Sequence, residues 1–319
     1  MTTTITLGPK ADLCYGRTGS TKTSQVGNLS EYIWEKFGKR TRLVSASPGG
    51  WKPIEHLVVA EDNPDGFIEA QHLSLMTPFP LETITRYCQG WWPDKTGKLA
   101  KSDLSNIGAY AFEGMSDFAT LVMSNLLGRT DISIPGTPKE SFVQDRGSAE
   151  GMRWGFSGMA HYGFIQQRVY EMVTTSNHLP VNKVLWTAYD TDAKDSNKRQ
   201  IYGPMIIGEA MTAQAGGWFG AMLHMTLVPQ SVVVADPVDP KKQITVIRRV
   251  PIMFLREHVD PDDPYKVPFT AKPRGPSSKW QQWPDFMPPN IGDFYRKLDK
   301  MSEEALSEMR AKVAQKGTK

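Results

Sequence analysis

Apolar positions along this chain switch repeatedly between strand-like runs and helical spacing. Ala11–Tyr15 is a short apolar run that stops at Gly16. Beyond it, residues 26, 29, 33 and 37 are apolar, with Tyr32 and Trp34 flanking, and Gly38 follows. That spacing predicts an amphipathic helix with a glycine stop. Thr41–Ser47 reads as a second strand, closed by Pro48-Gly49-Gly50, and Gly66–Ser74 as a third. Pro80–Trp91 has helical spacing at 81, 84, 87 and 88, Ile107–Gly114 is a further strand, and Phe118–Leu127 returns to helical spacing. A helix near His161–Thr174 precedes the strand Lys183–Asp190. Gly203–Met225, rich in Gly, Met and Ala, reads as a tightly packed turn and helix with His224 in a core or interface. Ser231–Ala235 and Gln243–Leu255 read as closing strands. Strands alternating with helices predict an α/β fold with a mainly parallel central sheet flanked by helices.

Composition narrows the class without deciding it. The 319 residues carry a formal net charge of +3, 39% hydrophobic and 22% charged residues, which suits a globular chain of one large or two ordinary domains. So small a net charge leaves nucleic-acid binding open, because binding needs a local basic patch and not a basic total. Cys14 and Cys88 cannot build a disulfide framework, and no Cys/His cluster has zinc spacing. The N-terminus lacks a basic start and an apolar h-region, and no window approaches the roughly 18 apolar residues of a membrane span. A cytoplasmic protein without membrane contact is the expectation.

The most specific chemistry lies between the first strand and the first helix. Gly16-Arg17-Thr18-Gly19-Ser20-Thr21-Lys22-Thr23-Ser24 is a glycine-bearing loop that runs into a helix with Lys-Thr at its start. Strand, loop and helix in this order are the context a phosphate loop requires. Gly16 and Gly19 can aim successive N–H groups into an anion nest, and the helix adds the positive end of its dipole. Lys22 would reach the β/γ-phosphates of ATP, and the Thr23 hydroxyl would ligate Mg²⁺. One position departs from G-x-x-x-x-G-K-[ST]. Thr21 stands at the second glycine, where a β-branched residue is penalised if the backbone needs positive φ. The loop is then remodelled, or turnover is slow or lost.

A metal-directing acid is expected at the end of a buried strand. Ile107–Gly114 is mostly apolar and ends in Glu113, with Asp117 in reserve; Glu69 and Asp62 have less apolar flanks. Glu113 would hold the Mg²⁺ shell or the attacking water at the carboxyl edge of the sheet, or would merely face solvent. Thr187, Tyr189 and Asp190 end a later strand and are placed to sense a γ-phosphate, or only to pack.

Two segments suit a polymer. Between Gly128 and Gly158, Arg129, Lys139, Arg146 and Arg153 interleave with Phe142, Trp154 and Phe156, a mixture that fits single-stranded DNA. Glu140, Asp145 and Glu150 dilute that charge, so a solvated insertion or an oligomer contact fits equally. Asp190–Ile201, with Lys194, Lys198 and Arg199, is the other. Residues 1–276 are expected to form the nucleotide-binding domain, and 277–319 a Pro/Trp-rich linker with a tail of short helices, Ile291–Leu298 and Ser302–Val313.

Taken together, Tyr15–Thr23, the Ala109–Gly114 strand, His161-Tyr162-Gly163, Val184–Tyr189, Gly203-Pro204 with Gly208, and Ala271-Lys272-Pro273-Arg274 resemble the RecA-like P-loop ATPases of tailed bacteriophages, the recombinase-core and single-strand-annealing type. The resemblance spans most of residues 10–276; only the phosphate loop is individually specific. It implies a RecA-like P-loop core and an ATP·Mg²⁺-dependent homo-oligomer, ring or filament, acting on DNA in recombination, annealing or replication. It also gives Lys272 and Arg274 the role of fingers reaching a neighbour's site; an ordinary surface turn is the alternative. Glu113 in place of the commoner aspartate, Tyr189 in place of histidine, and a second strand ending Ser-Ala-Ser without a glutamate are departures from the family pattern.

Overall fold

The computed structural model describes residues 10–47, 49–128, 146–149, 152–155, 159–194, 200–206, 214–235, 241–259, 268–269, 271–275 and 277–317. Its elements begin with β1 (Ala11–Gly16), α1 (Lys22–Phe37), β2 (Arg40–Ser45), β3 (Ile68–His72) and α2 (Pro80–Cys88). A small hairpin of β4 (Trp91–Pro93) and β5 (Leu99–Lys101) leads to β6 (Ile107–Glu113) and α3 (Met115–Gly128). Then come the hairpin β7 (Arg146–Ala149) and β8 (Met152–Gly155), α4 (Met159–Ser176), β9 (Lys183–Ala188), β10 (Asp190–Lys194) and β11 (Gln200–Pro204). The chain closes with β12 (Met222–Ala235), β13 (Gln243–Phe254), β14 (His258–Val259), β15 (Pro268–Phe269), β16 (Phe286–Met287) and α5 (Ile291–Gly317).

Eight strands form the central sheet in the order β16-β13-β12-β1-β9-β6-β2-β3. From β12 to β3 every neighbour is parallel; β13 and β16 add an antiparallel edge. The fold is therefore α/β with a mostly parallel sheet flanked by helices, ending in a C-terminal helix. The central strands are apolar along their whole length because both faces are covered: β1 and β6 are buried at every residue. Alternation sends Leu13 and Tyr15 to one core, with Phe112, Trp186, Phe118 and Ile165. Cys14, Leu43, Ala111 and Leu185 face the other core, with Val26, Leu29 and Ile33 of α1. On the first side Phe112 and Trp186 stack at 4.4 Å, and Trp186 Nε1 donates to Ser176 Oγ at 3.1 Å.

Three expectations from the sequence change here. Of Gly203–Met225, read as a turn and helix, residues 207–213 lie outside the described residues; the described part is the end of β11, helical Gln214, a 3-10 turn at Ala215–Gly217 and β12 from Met222, so His224 is a core histidine on a strand. Pro80–Trp91 splits, because Trp91 turns into the hairpin with Lys101. The tail is one continuous helix whose first turns are core: Ile291, Phe294, Tyr295, Leu298 and Met301 are buried against the α1 side, and Trp283 stacks on Phe294 at 4.8 Å. The packing therefore runs across residue 277. Only beyond Met301 does α5 become mainly exposed, with Leu306 and Met309 in solvent. Of the basic-aromatic segment, 129–145, 150–151 and 156–158 lie outside the described residues, as do 195–199 of the second candidate.

Candidate nucleotide-binding site

The parallel strands end together at one edge, and the loop after β1 lies on it. Gly16 is required there by close approach, since a Cβ would come within 2.0 Å of the Met225 carbonyl oxygen of β12. Gly19 has φ 81°, and Thr21 sits at φ 66°, ψ 22°, the left-handed region at the start of α1. The penalty foreseen for a β-branched residue therefore falls on Thr21. Its buried Oγ1 has no hydrogen-bond partner.

The Lys22 ammonium donates to the carbonyls of Gly16 and Arg17, both at 2.7 Å, and lies 4.8 Å from the Tyr189 ring centroid. Burial lowers its pKa to about 8, opposed by the negative charges of Asp190, Glu113 and Asp117. The Thr23 hydroxyl donates to Glu113 Oε1, at the end of β6. Glu113 is 2% exposed, and burial raises its pKa, against the hydrogen bonds from Thr23 and Ser45.

A cavity of about 380 Å³ opens over these groups. Thr18, Gly19, Thr21, Lys22, Thr23 and Ser24 line it on one side, and Glu113, Thr187 and Tyr189 on the other. Of the remaining loop residues, Gly16 and Arg17 bind Lys22 through their carbonyls, while Ser20 is 1% exposed and its N–H donates to Arg17 O at 3.2 Å. Strand β9 lies between β1 and β6, so Thr187 Oγ1 accepts from the Gly114 N–H at 3.0 Å and joins the acidic strand to the wall. Asp190 Oδ2 stands 3.8 Å from Arg17 Nε and 3.7 Å from His224 Nε2.

Reading the sequence alone overlooked two serines. Ser45 Oγ donates to Glu113 Oε2 at 2.8 Å and Ser47 Oγ to Asp117 Oδ2 at 2.9 Å. The Ser-Ala-Ser end of β2, read as a missing glutamate, is what fixes both acids. Alternation was the available signal: residues 45 and 47 share a face, beside Glu113 in register. Glu69 is committed to Arg42, at 2.9 Å, on the neighbouring strand.

Lys272 and Arg274 lie elsewhere. Arg274 donates to Lys10 O at 2.9 Å and to the fully buried Asp12 at 3.3 Å, near the amino end of β1. Asp12 also accepts from Tyr295 and from Ala221 N–H, and Lys272 donates to Gly216 O. Both side chains bind their own chain at the edge of the sheet opposite the loop that follows β1.

Strand, glycine-bearing loop and Lys-Thr helix start thus meet a cavity of about 380 Å³ at the carboxyl edge of a parallel sheet. No protein-family model and no curated protein matches the sequence. Among solved structures, the assembled ATPase EscN of the enteropathogenic E. coli type III secretion system is similar at 10% identity and a TM-score of 0.36, over 68% of this chain and 43% of that one. The chain thus spans less than half of that ATPase. Among the described residues no helix is long and apolar enough to cross a membrane.

Proposed function

We propose that this protein is a RecA-like P-loop ATPase that binds ATP·Mg²⁺ at the Lys22 cavity and works as a homo-oligomer on DNA. One observation carries the nucleotide part: the Lys22 ammonium, the Thr23 hydroxyl and the Glu113 carboxylate converge on one cavity over the ends of β1 and β6. Loop amides and the start of α1 favour a polyphosphate there. Lys22, once turned from the Gly16 and Arg17 carbonyls, meets the β/γ-phosphates.

Mg²⁺ suits the donors present. It takes one or two carboxylates together with water and phosphate oxygens, and Thr23, Glu113 and Asp117 are hard oxygen ligands. Among the described residues no group of three or more acidic, His or Cys side chains is arranged to hold a metal ion. Mg²⁺ would be held there by the Thr23 hydroxyl and the Glu113 carboxylate, and would supply positive charge against the phosphates. Within the chain, Ser45 and Ser47 orient the two acids, and Glu113 is the group to hold the metal's shell or a water. Tyr189 and Thr187 flank the same space and are suited to register the γ-phosphate.

Lys272 and Arg274 are assigned a structural role in this proposal, because a finger reaching a neighbour would first have to abandon Asp12 and Gly216. A second reading, a P-loop scaffold that binds ATP without turnover, is favoured by Thr21 in the left-handed region. Phosphate release measured with and without single-stranded DNA separates the two. Stimulated release supports the ATPase, whereas bound but unhydrolysed ATP supports the scaffold.

A further inference from the structure

A second cavity, of about 460 Å³, adjoins the first and shares Gly50 with it. Its walls are Trp51, His72, Lys52 and Glu55, over a floor of Gly49 and Gly50. The Trp51 and His72 rings meet edge to face at 6.1 Å, leaving an aromatic wall in an otherwise polar hollow. Lys52 and His72 are exposed at its mouth.

The two cavities are joined by a tight turn. Gly50 N–H donates to Ser47 O at 2.9 Å, and Gly49 has φ 88°, a left-handed value that favours glycine. Ser47, the first residue of that turn, lines the first cavity and holds Asp117. Trp51, just past its end, walls the second. Lys52 and Glu55 follow on the 3-10 segment Lys52–Leu57, whose Ile54 is buried against Gly27 of α1.

We propose that this second cavity binds one nucleotide unit, with its base on Trp51 and its phosphate on Lys52. An indole face stacks any base, an ammonium meets a phosphate, and a carboxylate accepts from an exocyclic amine, so Glu55 favours cytosine or adenine over thymine. The unit can come from a single strand of DNA or from a free mononucleotide; the chemistry is shared. Supplied by a strand, it rests on the proposed DNA role and places the polymer next to the Ser47–Asp117 contact. The turn then carries its presence to the γ-phosphate end.

The test uses the full chain and three probes: a labelled single-stranded oligodeoxynucleotide of mixed A and C, deoxycytidine monophosphate, and a fluorescent ATP analogue with Mg²⁺. Trp51→Ala is expected to weaken oligonucleotide binding about 5- to 150-fold while leaving analogue affinity unchanged. Lys52→Gln is expected to reduce the salt slope by about 0.7. Melting curves check that both variants fold, and Trp51→Phe, which keeps a stacking ring, is expected to restore most of the binding.

Monophosphate binding that depends on Trp51, with no oligonucleotide bound, supports the site and assigns it to a free nucleotide, overturning only the DNA role. Oligonucleotide binding unaffected by Trp51→Ala overturns the site and leaves the DNA role standing. Loss of analogue binding in Trp51→Ala overturns the site as well, because the cavity would then belong to ATP's own base. If neither oligonucleotide nor monophosphate binds the wild-type chain, the site is overturned, and the DNA role falls with it.

Discussion

Replacing Thr21 by glycine should make this protein more stable. Thr21 holds φ 66°, ψ 22°, in the left-handed region, where an L-residue with a Cβ costs about 1–2 kcal/mol. Its Oγ1 is buried without a hydrogen-bond partner, a further cost of about 1 kcal/mol. Glycine removes both penalties and adds about 0.5–1 kcal/mol of unfolded-chain entropy. The balance is a gain of about 1–2 kcal/mol, or roughly 2–5 °C in a thermal melt. Thr21→Ala separates the two contributions, because alanine sheds the hydroxyl and keeps the Cβ. The expected order of melting temperature is glycine, then alanine, then wild type. A glycine variant that melts at or below the alanine variant refutes the claim that backbone strain is stored in the loop.

Arg274→Met should cost about 3 kcal/mol in urea unfolding, because it leaves the buried Asp12 without its cation. ATP affinity should be unchanged, whereas turnover lost at full stability would speak for a finger in trans. Ending the chain after Met301 should leave the fold intact by circular dichroism. Ending it after Pro289 should abolish cooperative unfolding, because Ile291, Phe294, Tyr295, Leu298 and Met301 together bury on the order of 10 kcal/mol, comparable to a domain's whole net stability. Nucleotide affinity should change little from neutral pH up to about 8 and then fall as pH rises. Burial lowers the Lys22 pKa to about 8, and only the protonated ammonium attracts the phosphates, so the free protein loses its binding form above that value. A titration that stays flat well above that value contradicts a buried, discharged lysine.

The parts legible in the sequence were those with a local cause. Gly16 and Gly19 ahead of a Lys-Thr pair marked the turn from β1 into α1, because a turn is set by backbone a few residues long. Unbroken apolar runs at 107–112 and 184–186 marked buried parallel strands, and Glu113 stood at the end of one. Long-range pairing left no such mark. Alternation puts Ser45 and Ser47 on one face but does not name acids 68 and 70 residues away; the register of β2 on β6 sets Ser45 beside Glu113, and the segments just beyond the two strands bring Ser47 to Asp117. Arg274 resembled a finger in a Lys-Pro-Arg turn, yet its partner is an aspartate 262 positions earlier. The C-terminal helix read as two short helices because its charged second half hides the continuity with the apolar first turns that close the core over α1.

Calorimetric titration of Mg²⁺·ATP into the wild-type chain and Lys22→Ala tests the nucleotide site most directly. Saturable binding at one site per chain, weakened at least about 100-fold by the substitution, a loss of roughly 2.7 kcal/mol, is the predicted result. Equal affinity in the two proteins, or no binding to the wild type, would contradict it.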